Sequence, residues 1–375
     1  MNAFTELDPK VRTNLSRLDI VVPTYERQEY ALRLMRYWSG TGARVFVLDG
    51  SKNAIATHSL VDLCDDIVYL HRPVSYQERL LEATRLVSRE FQMMMSDDEL
   101  YLPSAVSGAI THLDAHPKHW GATGKVALFY CDSNGVIGEE WYTGYGNYPP
   151  LALTSSQKDR ARSYEVPHYA MLGVIRSSYW RDLWELIFRH RYTCPYAYEA
   201  MFHMSAPYIG VTWVIDELLW LRSVETDENV SDSWNRRMTL HDWFDDPTFG
   251  EERHLWEESV AGIVRRFAET RLPETDVRET ARFIIGRQVT GSRPKTYTWT
   301  PKQQIHRAIR SLTPQAVRDV MKVLLPRRVL RTMGYSSRPL LDVAREMMSR
   351  GTRVDLDQLS VTMDVVRDFH RNRNR

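Results

Sequence analysis

Over the first hundred residues, short apolar runs alternate with amphipathic stretches. Leu18 to Val22 reads as a strand closed by Pro23, and Glu26 to Ser39 follows with Ala31, Leu34, Met35 and Trp38 at helical spacing. Arg44 to Leu48 predicts a second strand, ended by Asp49-Gly50-Ser51, and Ala54 to Cys64 predicts a helix. Ile67 to Leu70 predicts a third strand, and Tyr76 to Glu90 a helix carrying Leu80, Thr84, Val87 and Phe91 on one face. Phe91 to Met95 is a fourth apolar run that stops abruptly at Ser96-Asp97-Asp98-Glu99. Strands alternating with helices imply right-handed crossovers and a mostly parallel sheet flanked by helices. The strands are apolar almost throughout, as expected when both sheet faces are covered.

The second part is less regular. Gly121 to Tyr130 reads as one or two strands, and Glu139 to Pro150 as a loop rich in Tyr, Gly and Trp. His168 to Arg176 predicts a strand, Ser177 to His190 a helix, and Val211 to Val224 a helix. Asp227 to Gly250, with Trp234, His241, Trp243 and Phe244, suits a lid over a ligand. Beyond Glu251 the pattern is mainly helical, punctuated by prolines. The expected organisation is an N-terminal extension (1–17), an α/β domain (18–250) and a helical C-terminal region (251–375).

With 43% hydrophobic and 26% charged residues the composition is that of an ordinary folded protein, and a net charge of +1 gives no global field for nucleic acid. Cys64, Cys131 and Cys194 form no paired motif, which fits a reducing cytosol. The N-terminus carries Glu6, Asp8, Lys10 and Arg12 without an apolar core behind them, so no secretory signal is expected. No run approaches the roughly 20 apolar residues needed to span a bilayer.

In a parallel sheet the carboxyl edge of the strands is where ligands bind. There the pattern gathers Thr24-Tyr25-Glu26, Asp49-Gly50-Ser51 and Asp97-Asp98-Glu99, with Arg79 in the helix after the third strand. Adjacent carboxylates at such an edge favour a hard divalent cation, Mg²⁺ or Mn²⁺, shared with substrate phosphates. An acidic helix cap is the plainer alternative. Tyr25 offers a face for a nucleoside and Asp49 an acceptor, although Asp49 before Gly50 also suits an ordinary turn. Arg79 could offset diphosphate charge or lie on a solvated helix face beside Glu78 and Glu82. The chain has neither G-x-G-x-x-G after the first strand nor G-x-x-x-x-G-K-[ST], so a phosphate ligand would need another counter-charge.

These strings resemble a known family. Val22-Pro23-Thr24-Tyr25-Glu26-Arg27, Val47-Leu48-Asp49-Gly50-Ser51 and Ser96-Asp97-Asp98-Glu99-Leu100-Tyr101-Leu102-Pro103 are similar to the opening turn, second-strand turn and DXD-type metal motif of GT-A glycosyltransferases of the large family-2 type. Met171 to Ser178 resembles that family's acceptor-side strand, and Ile215-Asp216-Glu217-Leu218 resembles the helix whose aspartate is the catalytic base. The resemblance covers roughly 18–225, with Ile215 where the family carries an acid and Ser-Asp-Asp-Glu in place of a clean Asp-x-Asp. It implies a GT-A, Rossmann-like fold and transfer of a sugar from a nucleotide-sugar donor to a saccharide or lipid-linked acceptor, as in bacterial-type surface polysaccharide synthesis. It implies inversion with Asp216 as base, nucleotide contacts from Pro23, Thr24, Tyr25, Glu26, Asp49, Arg79 and Asp97, and Mn²⁺ or Mg²⁺ on Asp98, Glu99 and His241.

Asp216 as a helix N-terminal acid, His241 and His168 as packed residues, and Tyr142, Tyr145 and Tyr148 as a packed loop rather than a sugar-binding wall are the plainer alternatives. From Lys302 to Arg338 nine basic residues face one acid, Asp319, a net +8 interleaved with Ile305, Ile309, Val320 and Leu324. That pattern fits either peripheral attachment to an anionic membrane from the cytoplasmic side or a solvated helical face. The rival functions are a sugar nucleotidyltransferase and a non-catalytic carbohydrate- or nucleic-acid-binding protein. The missing glycine after the first strand and the near-zero net charge weigh against them.

Overall fold

The computed structural model describes residues 3–4, 6–132, 135–141, 156–162, 169–225, 238–292 and 338–373. Strands β1 (Leu18–Thr24), β2 (Arg44–Asp49), β3 (Ile67–His71) and β4 (Phe91–Met94) form the parallel part of one ten-stranded sheet, in the order β4-β1-β2-β3. Its other part comprises β5 (Leu100–Tyr101), β6 (His119–Asp132), β7 (Gly135–Trp141), β8 (Val174–Arg176), β9 (Val211–Ser223) and β10 (Arg338–Pro339). There β8 runs antiparallel to β4 and β6, β7 antiparallel to β6 and β10, and β9 parallel to β6 but antiparallel to β5. The sheet is therefore mixed rather than mostly parallel. The parallel arrangement ends at β4, because β6 and β7 form an antiparallel pair and β8 enters between β4 and β6 against both.

Alternate residues of one strand face opposite layers. Ile20 and Val22 of β1 join one apolar layer with α2 (Gln28–Trp38) and α4 (Pro103–Ala115), through Leu34, Trp38, Val106 and Ile110. Val21 joins the other layer with α3 (Tyr76–Leu86), α6 (Ser177–Phe188) and α7 (Tyr196–Ile209), through Leu80, Trp180, Trp184 and Phe202. α1 (Pro9–Leu15) lies against α4, and α5 (Gln157–Arg162) against α7.

Packing does not break near residue 250. α8 (Leu240–Asp245), α9 (Gly250–Phe267) and α10 (Glu274–Ser292) belong to the second layer, where Trp243, Trp256 and Val260 are fully buried. α11 (Leu340–Ser349) and α12 (Leu356–Arg373) return to the first layer through Leu340, Leu359 and Val366. The helix expected over Ala54 to Cys64 is a single 3₁₀ turn, Thr57–Ser59. The helix expected over Val211 to Val224 is β9, where paired neighbours on both edges override an ambiguous apolar run. Tyr142, Tyr145, Tyr148, His168, Trp234 and all of the basic segment 302–338 except Arg338 lie outside the described residues. No helix among the described residues is long and apolar enough to cross a membrane.

Candidate active site

The register of β1 sets Thr24 level with Asp49 of β2 and pairs Val21 with Met94 of β4. Asp97, three residues beyond Met94, is thereby brought beside Thr24, whose Oγ1 donates to Asp97 Oδ2 at 2.6 Å. Arg27, at the start of α2, places Nη2 3.1 Å from Asp97 Oδ1 and 2.5 Å from Asp98 Oδ2. One guanidinium thus bridges both aspartates at the sheet edge. Arg33, one and a half turns further on, donates to the Asp98 carbonyl at 2.8 Å and pairs at 2.8 Å with Glu225, whose side chain is buried.

The C-terminal helix completes this shell. His370 of α12 pairs with Glu225, Arg33 lies 4.6 Å over the Phe369 ring, and Tyr37 Oη meets Thr362 Oγ1 at 3.0 Å. Burial works against the Glu225 charge, but His370 and Arg33 more than offset this and hold its pKa below the usual value.

Glu99 turns the other way, toward Trp220 and Arg222 on β9. Its Oε2 is buried without a hydrogen-bond partner. Burial raises the Glu99 pKa well above the ordinary carboxylate range, and the neighbouring Asp98 charge adds to this. Burial also raises the Asp97 carboxyl, with Arg27 opposing and Asp98 adding, to about 7. A carboxyl whose folded pKa exceeds its unfolded value retains protons in the native state that the unfolded chain has lost, so stability declines as pH rises between the two values. In chelator, the melting temperature of the native chain is expected to fall as pH rises from the ordinary carboxylate range to about 7. Asp97→Asn should flatten that fall, as read by thermal melts across the same pH series.

Hard oxygens on Asp98 and Glu99, one of them unpartnered and buried, suit a divalent cation of the Mg²⁺ or Mn²⁺ type. His241 is not brought to them. It lies on α8 with Nε2 3.3 Å from Asp245 one turn away. Among the described residues, the one group of three or more side chains able to ligate together is His112, His116 and His119. α8 is not a lid in its described part, since Trp243 is fully buried against Tyr192 and Trp256.

Several expected nucleotide contacts have structural employment. Asp49 is fully buried and accepts from Ser51 N at 2.8 Å, Gln28 Nε2 at 2.7 Å and Tyr69 Oη at 2.6 Å, which makes it the anchor of its own turn. Arg79 is buried and donates to the carbonyls of Thr24 and Leu48, tying β1 to β2. It lies so close over Gly50 that a Cβ there would meet Arg79 Cζ at 2.5 Å, so this turn needs glycine for space. Arg79 therefore does not project from the helix as a diphosphate cation would. Pro23 lies within β1, paired with Leu48 one residue before the strand ends, Tyr25 is half-buried, and Glu26, at φ 52°, accepts from Lys52 N at 2.9 Å.

Asp216 is not a helix N-terminal acid. It sits in β9, its side chain 76% exposed and 3.3 Å from Lys125 Nζ, while its carbonyl accepts from Arg353 N. It lies six positions before Arg222, and between them β9 carries extra residues against β6, with register shifts at Thr123/Lys125 and Lys125/Val126. Its exposed carboxylate lines a pocket with His112, Trp213 and Arg353.

A further acid that the sequence pattern did not single out is Glu199, which shares the charge of Arg222 with Glu99. It occupies the first turn of α7, where the helix dipole favours a carboxylate. His203, one turn on, contacts its Oε1 at 3.2 Å and is the first cause of its lowered pKa, with burial opposing and Arg222 adding. Arg222 thus lies in the field of both Glu99 and Glu199, while Tyr76 of α3 lies between the fields of Arg79 and Glu199. The helix start is fixed from below. Trp256 Nε1 donates to Ala197 O at 3.0 Å, and Glu252 accepts from Thr193 N, Thr193 Oγ1 and Trp243 Nε1 at 2.9, 2.7 and 2.9 Å. Glu199 and His203 four residues apart, after Pro195, were the available signal.

No protein-family model and no curated protein sequence matches the chain. Among solved structures it is similar to S. aureus TarS 1–349, at 15% identity and TM-score 0.42 over 95% of this chain and 91% of that one. The TarS 1–349 complex with UDP-GlcNAc is similar at 14% identity and TM-score 0.44, over 95% and 92% of the two chains. A longer S. aureus TarS structure is similar at 16% identity and TM-score 0.44, over 93% of this chain and 55% of that one.

Proposed function

We propose that the chain is a glycosyltransferase that moves a sugar from a nucleotide-sugar donor to a saccharide or lipid-linked acceptor, aided by Mn²⁺ or Mg²⁺. The observation that carries this reading is the carboxyl edge of β1 and β4, where Asp97, Asp98 and Glu99 are gathered and buried, with Arg222 acting on both Glu99 and Glu199. Such an edge is the ligand-binding edge of an open α/β sheet. No glycine loop cradles phosphate there, so counter-charge must come from side chains or a cation.

In this reading the nucleotide lies over the turn after β1, beside Tyr25 and Thr24. Asp98 and Glu99 would hold the cation, which would supply positive charge opposite the departing diphosphate. Arg27, now bridging Asp97 and Asp98, holds the two carboxylates apart from solvent until then. Glu199 takes the proton of the acceptor hydroxyl, with His203 fixing its carboxylate and Arg222 balancing its charge. Inversion follows from a single base on the side of the sugar opposite the diphosphate.

The test is a thermal-shift panel of nucleoside diphosphates and nucleotide sugars, headed by UDP and UDP-GlcNAc, with and without Mn²⁺. A ligand that binds only the folded chain stabilises it by about 2.7 kcal/mol at 100 times its Kd. One nucleotide should raise the melting temperature, further with Mn²⁺, and Asp98→Ala should abolish the Mn²⁺-dependent part. If no nucleotide shifts the melt with metal present, the transferase reading fails.

A further inference from the structure

At the opposite end of α4 from the acidic edge, three histidines meet outside the site described above. His112 lies in the last turn of α4, His116 caps the helix, and His119 begins β6. His112 is about 14 Å along the helix from Pro103, at ~1.5 Å per residue. One ring nitrogen from each histidine falls within 4.8 Å of the other two. His112 Nε2 and His119 Nδ1 are 2.9 Å apart, and the His112 and His116 rings stack at 4.2 Å.

The cluster is held rather than incidental. Trp213 of β9 stacks on His112 at 5.3 Å and on His119 at 5.6 Å. Arg176 grips the turn that carries the rings, donating to the carbonyls of His119 at 3.0 Å and Leu113 at 2.5 Å. His116 Nδ1 lies 2.9 Å from the His112 carbonyl. A carbonyl can only accept, so His116 Nδ1 carries the proton and Nε2 keeps its lone pair. An N–H to backbone carbonyl contact of this kind is what orients imidazole ligands in metal sites.

We propose that His112, His116 and His119 form a binding site for a borderline transition-metal ion of the Zn²⁺ class, which staples the end of α4 to the start of β6. Imidazole nitrogens favour such ions over Mg²⁺ or Ca²⁺, so the site differs in chemistry from the carboxylate edge. Zn–N bonds of about 2.0–2.1 Å in tetrahedral geometry set ligand nitrogens roughly 3.3 Å apart, so the close His112–His119 pair opens slightly and His116 moves in. The proton shared by His112 Nε2 and His119 Nδ1 shifts to the other nitrogen of whichever ring holds it. That proton is thereby retained when the two nitrogens bind. The fourth coordination position would be taken by water or by a group in the neighbouring pocket of ≈ 500 Å³, lined by His112, Trp213, Asp216 and Arg353.

The experiment uses the full chain, purified without an affinity tag and stripped with chelator. Zn²⁺ is titrated calorimetrically, and Co²⁺ is followed by its visible spectrum. The native chain is expected to bind one Zn²⁺ with Kd below about 1 µM and to give the visible bands of four-coordinate Co²⁺. His116 is exposed, so His116→Ala should melt normally in chelator yet bind Zn²⁺ at least about 100-fold more weakly and lose the Co²⁺ bands. His119→Gln should behave alike. Absence of Zn²⁺ binding in the native chain, or binding unchanged in His116→Ala, overturns the proposal. Mn²⁺-dependent nucleotide binding is expected to be the same in His116→Ala, so failure here is distinct from failure of the transferase reading.

Discussion

Glu199→Gln is expected to slow sugar transfer by about 10²- to 10⁴-fold, the usual contribution of a positioned general base, while leaving nucleotide-sugar binding intact. The amide has nearly the shape of the carboxylate and can still contact His203 Nε2, which lies 3.2 Å from Glu199 Oε1. It cannot accept the acceptor's proton. The loss should therefore fall on kcat, with the Mn²⁺-dependent thermal shift by nucleotide unchanged. Asp216→Asn is the matched control. Its carboxylate is exposed beside Lys125 on the far stretch of β9, so turnover should stay within about twofold, as for surface changes away from special features. Full turnover by Glu199→Gln, or collapse in Asp216→Asn, would return the base to the strand and sink the assignment to α7.

Trp256→Ala should give the largest loss of stability, about 3–5 kcal/mol, as for other buried tryptophans cut to alanine. The indole is fully buried, meets Trp243 edge-on at 5.6 Å and donates to the Ala197 carbonyl at 3.0 Å. Removing it opens a cavity under the first turn of α7 and leaves that carbonyl without this donor, so the carboxylate of Glu199 should lose its fixed position as well. Urea unfolding measures the first effect. The second is read below the melting range as a fall in kcat larger than any fall in nucleotide binding. Trp256→Phe retains most of the apolar volume and should cost less, about 0.5–1.5 kcal/mol for the lost indole hydrogen bond. Equal stability of Trp256→Ala and the native chain would mean that α9 does not support α7.

The alternation of β1, α2, β2, β3, α3 and β4 was legible because each run repeats a local period, and local periods survive into structure when both faces of a sheet are covered. The acidic edge was legible for the same reason. A strand that ends at Met94 must deliver the next residues to the carboxyl edge, and Thr24 and Asp97 met there as a hydrogen-bonded pair. The roles of Asp49 and Arg79 were not legible. Whether an Asp-Gly turn or a helix-borne arginine faces ligand or protein depends on partners from elsewhere in the chain, here Gln28, Tyr69 and the β1 and β2 carbonyls.

By itself the sequence determined the α/β class, the order of the first four strands and the collection of carboxylates at one edge, because these follow from local periodicity and chain direction. Only the tertiary structure decided the rest. The apolar run from Val211 became β9 once β5 and β6 offered hydrogen-bonding edges, which set Asp216 in a strand rather than at a helix start. α7, supported by Trp256 and Glu252 from beyond residue 250, set Glu199 within reach of the Arg222 charge. α12, whose His370 lies 145 residues beyond Glu225, closed the shell behind Asp98 through Arg33, Glu225 and His370. Pairings across such separations have no period along the chain, and only packing selects them.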